Sequence, residues 1–251
     1  MVVDWIASKR TALWFSWASE WSVLIFTWLL PVSMGWSRAL FVLDVAGLYF
    51  TSLLLAHGHR VWRGLLWGLL ALTALFLCLP GRPYSQENLC RNTAARMASY
   101  KGTRYCWGGE SHFGIDCSGL VRRGLIEAEL KQGLLTANPR LLRLAIYLWW
   151  HDCSARQLGE GYLSFTRLLF TIPSINQTDP SRFLPADLAV TEDGSHVMAY
   201  LGDSRWIEAH PEPGKVIVVK VPSSDNPRFQ IPVRILRWKQ LDPDRSALSP
   251  P

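Results

Sequence analysis

The chain has 251 residues, 49% of them hydrophobic, and carries a formal net charge of +6. That apolar share excludes one uniformly soluble domain, and the scattered Lys and Arg form no run or aromatic-interleaved stripe of the kind that grips nucleic acid. The modest positive balance is compatible with an anionic membrane surface or polymer, or with ordinary solubility. Five cysteines (Cys78, Cys90, Cys106, Cys117 and Cys153) make no CxxC pair and no metal-ligand spacing, and their odd number leaves at least one free thiol in a monomer.

Polarity is unevenly distributed. Eight of the thirteen tryptophans precede Pro80, whereas only Lys9, Arg10, Arg38, Arg60 and Arg63 of the 26 basic residues do. The division falls at Leu79 to Pro83, where two prolines and a glycine end the apolar region. Before it, three segments have a length and apolarity that approach a membrane span: Trp14 to Trp36, Ala39 to Ala56 and Val61 to Leu79. Lys9 and Arg10 precede the first, and Arg60 and Arg63 stand between the second and third. The positive-inside rule therefore puts the N-terminus and the second loop in the cytoplasm. Three spans then leave everything after Pro80 outside; two spans would leave it inside. Glu20 and Asp44 lie in or beside the apolar runs and read as interfacial or helix-contact positions.

Residues 81–251 are enough for one domain with its own core. Ser85 to Tyr100 has a helical stripe of Cys90, Ala94, Met97 and Ala98, ended by Gly102. After Tyr105-Cys106-Trp107-Gly108-Gly109 and a short loop comes Gly114-Ile115-Asp116-Cys117-Ser118-Gly119-Leu120-Val121. From Cys117 the pattern is helical again, with Leu120, Val121, Gly124, Leu125 and Ala128 on one face and Arg122, Arg123, Glu127 and Glu129 off it. Asp116 fits the N-cap. A thiol in the first turn is favoured as thiolate by the helix end, Asp116 works against that, and a nearby imidazolium would complete the activation.

From Leu188 onward the chain reads as strands. Ser195 to Leu201 and Arg205 to His210 form a hairpin; a three-residue turn, Gly202-Asp203-Ser204, sets His196 opposite His210. The result is the division of labour that acyl transfer needs: Cys117 as nucleophile, His196 as base, His210 as orienting residue, and the Cys117 backbone N–H as an oxyanion donor.

These residues resemble the NlpC family of papain-like cysteine peptidases of bacterial cell walls. The resemblance runs from about Asn88 to Val221 and is carried by the Tyr105–Gly109 string, Gly114–Val121, Asp187-Leu188, Ser195-His196-Val197 through Gly202, and Glu208 to Pro211. It implies an α+β, papain-like domain over 81–251, with a Cys-bearing helix packed on an antiparallel β-sheet. An all-α transmembrane anchor of about three helices over 1–80 precedes it. It also implies hydrolysis of amide bonds in peptidoglycan stem peptides through Cys117, His196 and His210 and a thioester acyl-enzyme, with no metal or organic cofactor. Tyr105, Asp116 and Ser118 are candidates for substrate binding or the oxyanion site. The expected partners are peptidoglycan peptides and the lipid bilayer; the expected place is the inner membrane, with the catalytic domain facing the periplasm or extracytoplasmic side.

The sequence departs from the family pattern in places. The segment near 131–183 is longer than usual and reads as an inserted helical region, with an apolar helix from Pro139 to Trp150 readable as a lid, a membrane-lying helix or added core. Pro185-Ala186-Asp187 replaces the common Pro-Gly-Asp. An acyltransferase or lipid hydrolase of the same superfamily, or an inactive membrane scaffold, remain alternative readings.

Overall fold

The structure, a computed structural model, describes residues 2–243; the side chains of 2–9, Lys9 among them, and residues 244–251 at the end of the expected hydrolase domain lie outside the description. Three helices come first: α1 (Val2–Leu29), α2 (Gly35–Leu55) and α3 (Arg60–Cys78). The second, with the turn after it (Gly35–Gly58), and the third are long and apolar enough to cross a membrane. By the same measure α1 does not qualify. Its inward face is polar, and that polarity holds the hairpin together. Thr51 donates to Glu20 at 2.6 Å, and Trp17 Nε1 donates to Ser52 at 3.1 Å. Glu20 is thus a helix-contact residue. Tyr49 ties α2 to α3 by donating to the Leu66 carbonyl.

The remaining chain is α+β. Helices α4 (Gln86–Ala98), α5 (Cys117–Leu135), α6 (Pro139–Trp150) and α7 (Ala155–Gly159) accompany a six-stranded antiparallel sheet. A small hairpin, β1 (Glu110–Ser111) and β2 (Gly114–Ile115), leads into α5. The large sheet holds β3 (Thr166–Ile172), β4 (Leu188–Thr191), β5 (Val197–Gly202), β6 (Arg205–His210), β7 (Lys215–Lys220) and β8 (Val233–Trp238), in the order β3-β8-β4-β5-β6-β7. Leu120, Val121 and Leu125 of α5 share one core with Val197, Ala199, Ile207 and Ala209 of the central strands. Residues of opposite parity, Met198, Tyr200 and Trp206, join Phe183 and Phe229 in a second core on the other face. Period-two alternation produces both, so these strands are buried on two sides.

Several expectations change in the packed fold. In α4 the buried stripe runs through Leu89, Cys90, Thr93, Ala94 and Met97, while Ala98 is exposed. In α5, Arg122 and Glu129 are buried rather than off the core face. A second helix covers them: α6 buries Pro139, Leu141, Leu142, Ala145 and Leu148 against the long helix. Glu129 meets no hydrogen-bond partner there, and burial holds its carboxyl well above the usual range. The Pro139–Trp150 helix is therefore added core, and it also touches the anchor. Arg143 donates to the Leu77 and Leu79 carbonyls, and Trp149 meets Phe41 edge to face at 5.9 Å. The segment near 131–183 is not helical throughout, since it supplies edge strand β3.

The start of β4, the strand beside β5, is fixed by a buried ion pair. Ala186 sits at φ +71°, the left-handed conformation for which glycine is the usual choice, and turns Asp187 inward. Arg237 on β8 then donates to both Asp187 oxygens at 2.7 and 2.8 Å. Removing one partner of such a pair strands the other charge. Asp187→Ala is expected to destabilise the protein by about 3–5 kcal/mol, seen as a lowered midpoint in thermal or denaturant unfolding in detergent. A loss below about 1 kcal/mol would mean that Arg237 finds another partner.

Candidate active site

Cys117 is the first residue of α5, and Asp116 is its N-cap, as the sequence pattern predicts. One Asp116 oxygen accepts from the Gly119 amide at 2.6 Å and the Ser118 hydroxyl at 3.0 Å; the other accepts from the Gly108 amide at 2.8 Å. The Asp116 amide donates to the Gly109 carbonyl at 3.1 Å. The Trp107-Gly108-Gly109 loop is thereby clamped to the helix start. Gly119 is required at this junction, because a Cβ there would run into the Gly109 carbonyl oxygen. Of the residues considered for substrate binding, Asp116 and Ser118 spend their polar atoms on this clamp.

The thiol does not have the low pKa expected of a helix N-terminus. Cys117 is 9% exposed, and burial, followed by the Asp116 charge, pushes its pKa up to about 12. The backbone N–H groups of Val197, Ser118 and Cys117 itself pull the other way, without prevailing. Tyr105 lies near both Cys117 and Asp116. Burial, then their negative charge, raises its phenol to about 12. Its backbone amide donates to the Gly214 carbonyl at 2.7 Å, which moors this part of the loop to the β6–β7 turn.

His196 stands immediately before β5, and its Nε2 is 2.6 Å from Glu208 Oε2. Both side chains are almost fully buried. Glu208 Oε1 accepts from the Asn226 side-chain amide. Burial opposes ionisation of Glu208, but the hydrogen bond and charge of His196 outweigh it and hold the carboxyl below its ordinary range. A carboxylate at Nε2 fixes the proton on that nitrogen in the neutral ring and leaves Nδ1 as the acceptor.

His210 does not make the contact assigned to it from the sequence. The β5–β6 register pairs Ala199 with Ile207 and Tyr200 with Trp206, which, continued outward, sets His196 opposite His210 as expected. A two-residue turn, Asp203-Ser204, both at positive φ, combines with a bulge at Leu201 to give the offset of a three-residue turn. Yet the two rings are tilted by 57° with centroids 6.5 Å apart. The longer Glu208 side chain, on the same strand face, takes the His196 nitrogen instead. His210 Nδ1 accepts from the Glu212 amide at 3.2 Å, and its Nε2 lies 2.7 Å from Arg228 Nη1. Burial, aided by the Arg228 and His196 charges, lowers its pKa. Glu208, Asn226 and Arg228 carry no assigned role in the sequence pattern. Period two places Glu208 beside His210, so it was the discoverable one; Asn226 and Arg228 come from the loop after β7. Among the described residues no group of three His, Cys, Asp or Glu is arranged around a metal position.

The family model described as "NlpC/P60 family" matches residues 102–230, about half of the chain. Among solved structures, NlpC2 from Trichomonas vaginalis is similar at 18% identity and a TM-score of 0.39, over 65% of this chain and 50% of that one. The chain therefore spans about half the length of that relative. The peptidoglycan hydrolase RipB from Mycobacterium tuberculosis is similar at 22% identity and a TM-score of 0.38, over 66% and 76%. The P60 domain of an antigen of M. avium subspecies paratuberculosis is similar at 24% identity and a TM-score of 0.34, over 59% and 95%. No curated protein matches.

A buried, protonated thiol has a signature. In a His196→Ala variant, alkylation of Cys117 by a neutral electrophile, read by peptide mass spectrometry, should keep rising about tenfold per pH unit beyond pH 8.5, the range in which a free thiol saturates. A plateau near pH 9 would contradict the burial argument.

Proposed function

Because the chain belongs to the NlpC/P60 family, we propose that it is a membrane-anchored cysteine peptidase that hydrolyses amide bonds in peptidoglycan stem peptides. The observation that carries this reading is the His196–Glu208 hydrogen bond at 2.6 Å, made at the start of a strand that shares its core with Cys117, the first residue of α5.

In the proposed mechanism Cys117 and His196 start neutral. A resting thiolate–imidazolium pair is disfavoured by a thiol at about 12, so proton transfer to His196 Nδ1 accompanies attack on the substrate carbonyl. Glu208 holds the ring by Nε2–H and stabilises the imidazolium that forms; Asn226 holds Glu208. The Cys117 N–H at the open helix end, with Tyr105 nearby, receives the developing oxyanion. The protonated His196 gives its proton to the leaving amine, leaving a thioester. Water, deprotonated by His196, then releases the acid and restores the thiol. The triad is thus Cys117, His196 and Glu208, with His210 supporting Arg228 at the edge of the site.

We place the anchor as three antiparallel spans, with α1 completing a bundle around the two more apolar helices. At 28 residues α1 is about 42 Å long, enough to cross beside α2. Glu20 and Trp17 spend their polar atoms on α2, and Ser16, Ser19, Ser22 and Thr27 bond within α1 itself. The α1–α2 turn and the end of α3 both meet the catalytic domain, which favours one side for these ends and the opposite side for the N-terminus and residues 56–59. Basic residues then gather on the far side, and Arg38, the cation on the near side, is paired with Glu110 and Asp152. By the positive-inside rule the catalytic domain is extracytoplasmic.

The test is incubation of the full chain, in detergent, with purified muropeptides, followed by mass spectrometry. Wild type should cleave an amide within the stem and Cys117→Ala should not. Absence of cleavage with a thiol that still reacts with electrophiles would point to lipid or acyl substrates. Glu208→Ala should lower kcat by about 10²–10⁴-fold, and His210→Ala should leave distinctly more activity. The reverse ranking would restore His210 as the orienting residue.

A further inference from the structure

The turn between the first two anchor helices is not a free loop. The Ser33 amide donates to the Gly108 carbonyl at 3.0 Å, the Glu110 amide donates to the Pro31 carbonyl at 2.9 Å, and Val32 bridges Gly109 in antiparallel fashion. Side chains fasten the same junction. Arg38, in the first turn of α2, pairs with Glu110 at 3.1 Å, and Glu110 pairs with Arg122 of α5 at 3.0 Å. Asp152 binds Arg122 at 2.7 Å and Arg38 at 3.6 Å. Arg38, Arg122 and Glu110 are almost completely buried. A buried charge cluster of this kind does not slide, because separating its members strands charges in a poor solvent.

That junction fixes where the nucleophile stands. Gly109 is one strand spacing from Val32, and its carbonyl holds the Asp116 amide, so Cys117 lies about two such spacings, or 10 Å, from the turn. The same turn opens the Gly35–Gly58 span, so it lies at the level of the lipid headgroups, a layer of about 5–8 Å on each side. Exposed aromatics ring this level: Trp28 and Trp36 from the anchor, Phe113 touching Trp28 at 6.1 Å, and Trp107, 78% exposed, on the loop that leads to the nucleophile. Exposed Trp side chains beside the ends of membrane helices suit an interfacial belt.

We infer that the active site is locked onto the bilayer surface, and that its substrate is a stem peptide tethered to a lipid in the outer leaflet rather than one held in the wall beyond. This inference rests on the peptidase reading above. The lipid holds the peptide at the height of the cleft, and the Arg38–Glu110 lock prevents the domain from swinging outward.

The test uses the full chain in proteoliposomes and one stem peptide in three forms: free, joined directly to a lipid in the same vesicles, and joined through a Gly/Ser linker of about 40 residues, whose mean reach is about 35 Å. The directly tethered peptide should be cleaved fastest, about 10²-fold faster than the free peptide at equal bulk concentration, with the long linker in between. A site held away from the bilayer would reverse the tethered pair, with the long linker cleaved and the short one spared. That reversal, or equal rates on all three forms, overturns the inference and leaves the peptidase reading intact. Failure to cleave any form, with Cys117 still open to alkylation, overturns both.

Discussion

Everything around the nucleophile depends on the Asp116 carboxylate. One oxygen caps α5 and so creates the helix start on which Cys117 sits; the other holds the Gly108 amide and draws the glycine loop onto that start. The same loop is the surface to which the anchor turn and the β1 strand attach. A single side chain thus joins α5, its flanking loop and the turn between α1 and α2. The arrangement has an electrostatic cost, because a carboxylate next to the thiol opposes its ionisation and adds to the effect of burial.

That cost explains the shape of the rest of the site. In the proposed mechanism a thiol this hard to ionise is matched by a well-oriented base whose charged form is stabilised at the moment of attack. The His196–Glu208–Asn226 chain is built for that. It is buried, its hydrogen bonds are satisfied, and its carboxylate stays ionised against the burial penalty. Arg228, 4.0 Å from Glu208 and bonded to His210, adds a cation at the cleft edge without replacing His196 as the partner of that carboxylate.

The relation between the two halves of the chain is also physical rather than merely covalent. A domain tied to the N-terminal helices only through residues 79–85 would be free to tilt. Here α6 grips the end of α3 through Arg143 and packs Trp149 on Phe41, while Arg38 reaches from α2 into the catalytic domain. The long segment that departs from the family pattern therefore serves as the seat of the anchor as well as added core.

The local features were legible in the sequence because local chemistry sets them. The N-cap at Asp116, the helix from Cys117 and the hairpin after Ser195 follow from capping, periodicity and turn residues, while the offset that opposes His196 and His210 needs a bulge at Leu201 in place of the expected three-residue turn. What depends on contacts between distant segments was decided only by the tertiary structure. The partner of His196 is Glu208, because a long side chain on the neighbouring strand reaches a nitrogen that a directly opposed ring does not. Arg122 is buried because Glu110 and Asp152 arrive from other segments to pair with it. The thiol pKa rises because burial, which periodicity along one helix does not measure, outweighs the helix end. The union of the anchor turn with the nucleophile loop has no local signal at all, since it joins residues some 75 positions apart through backbone hydrogen bonds available to any sequence.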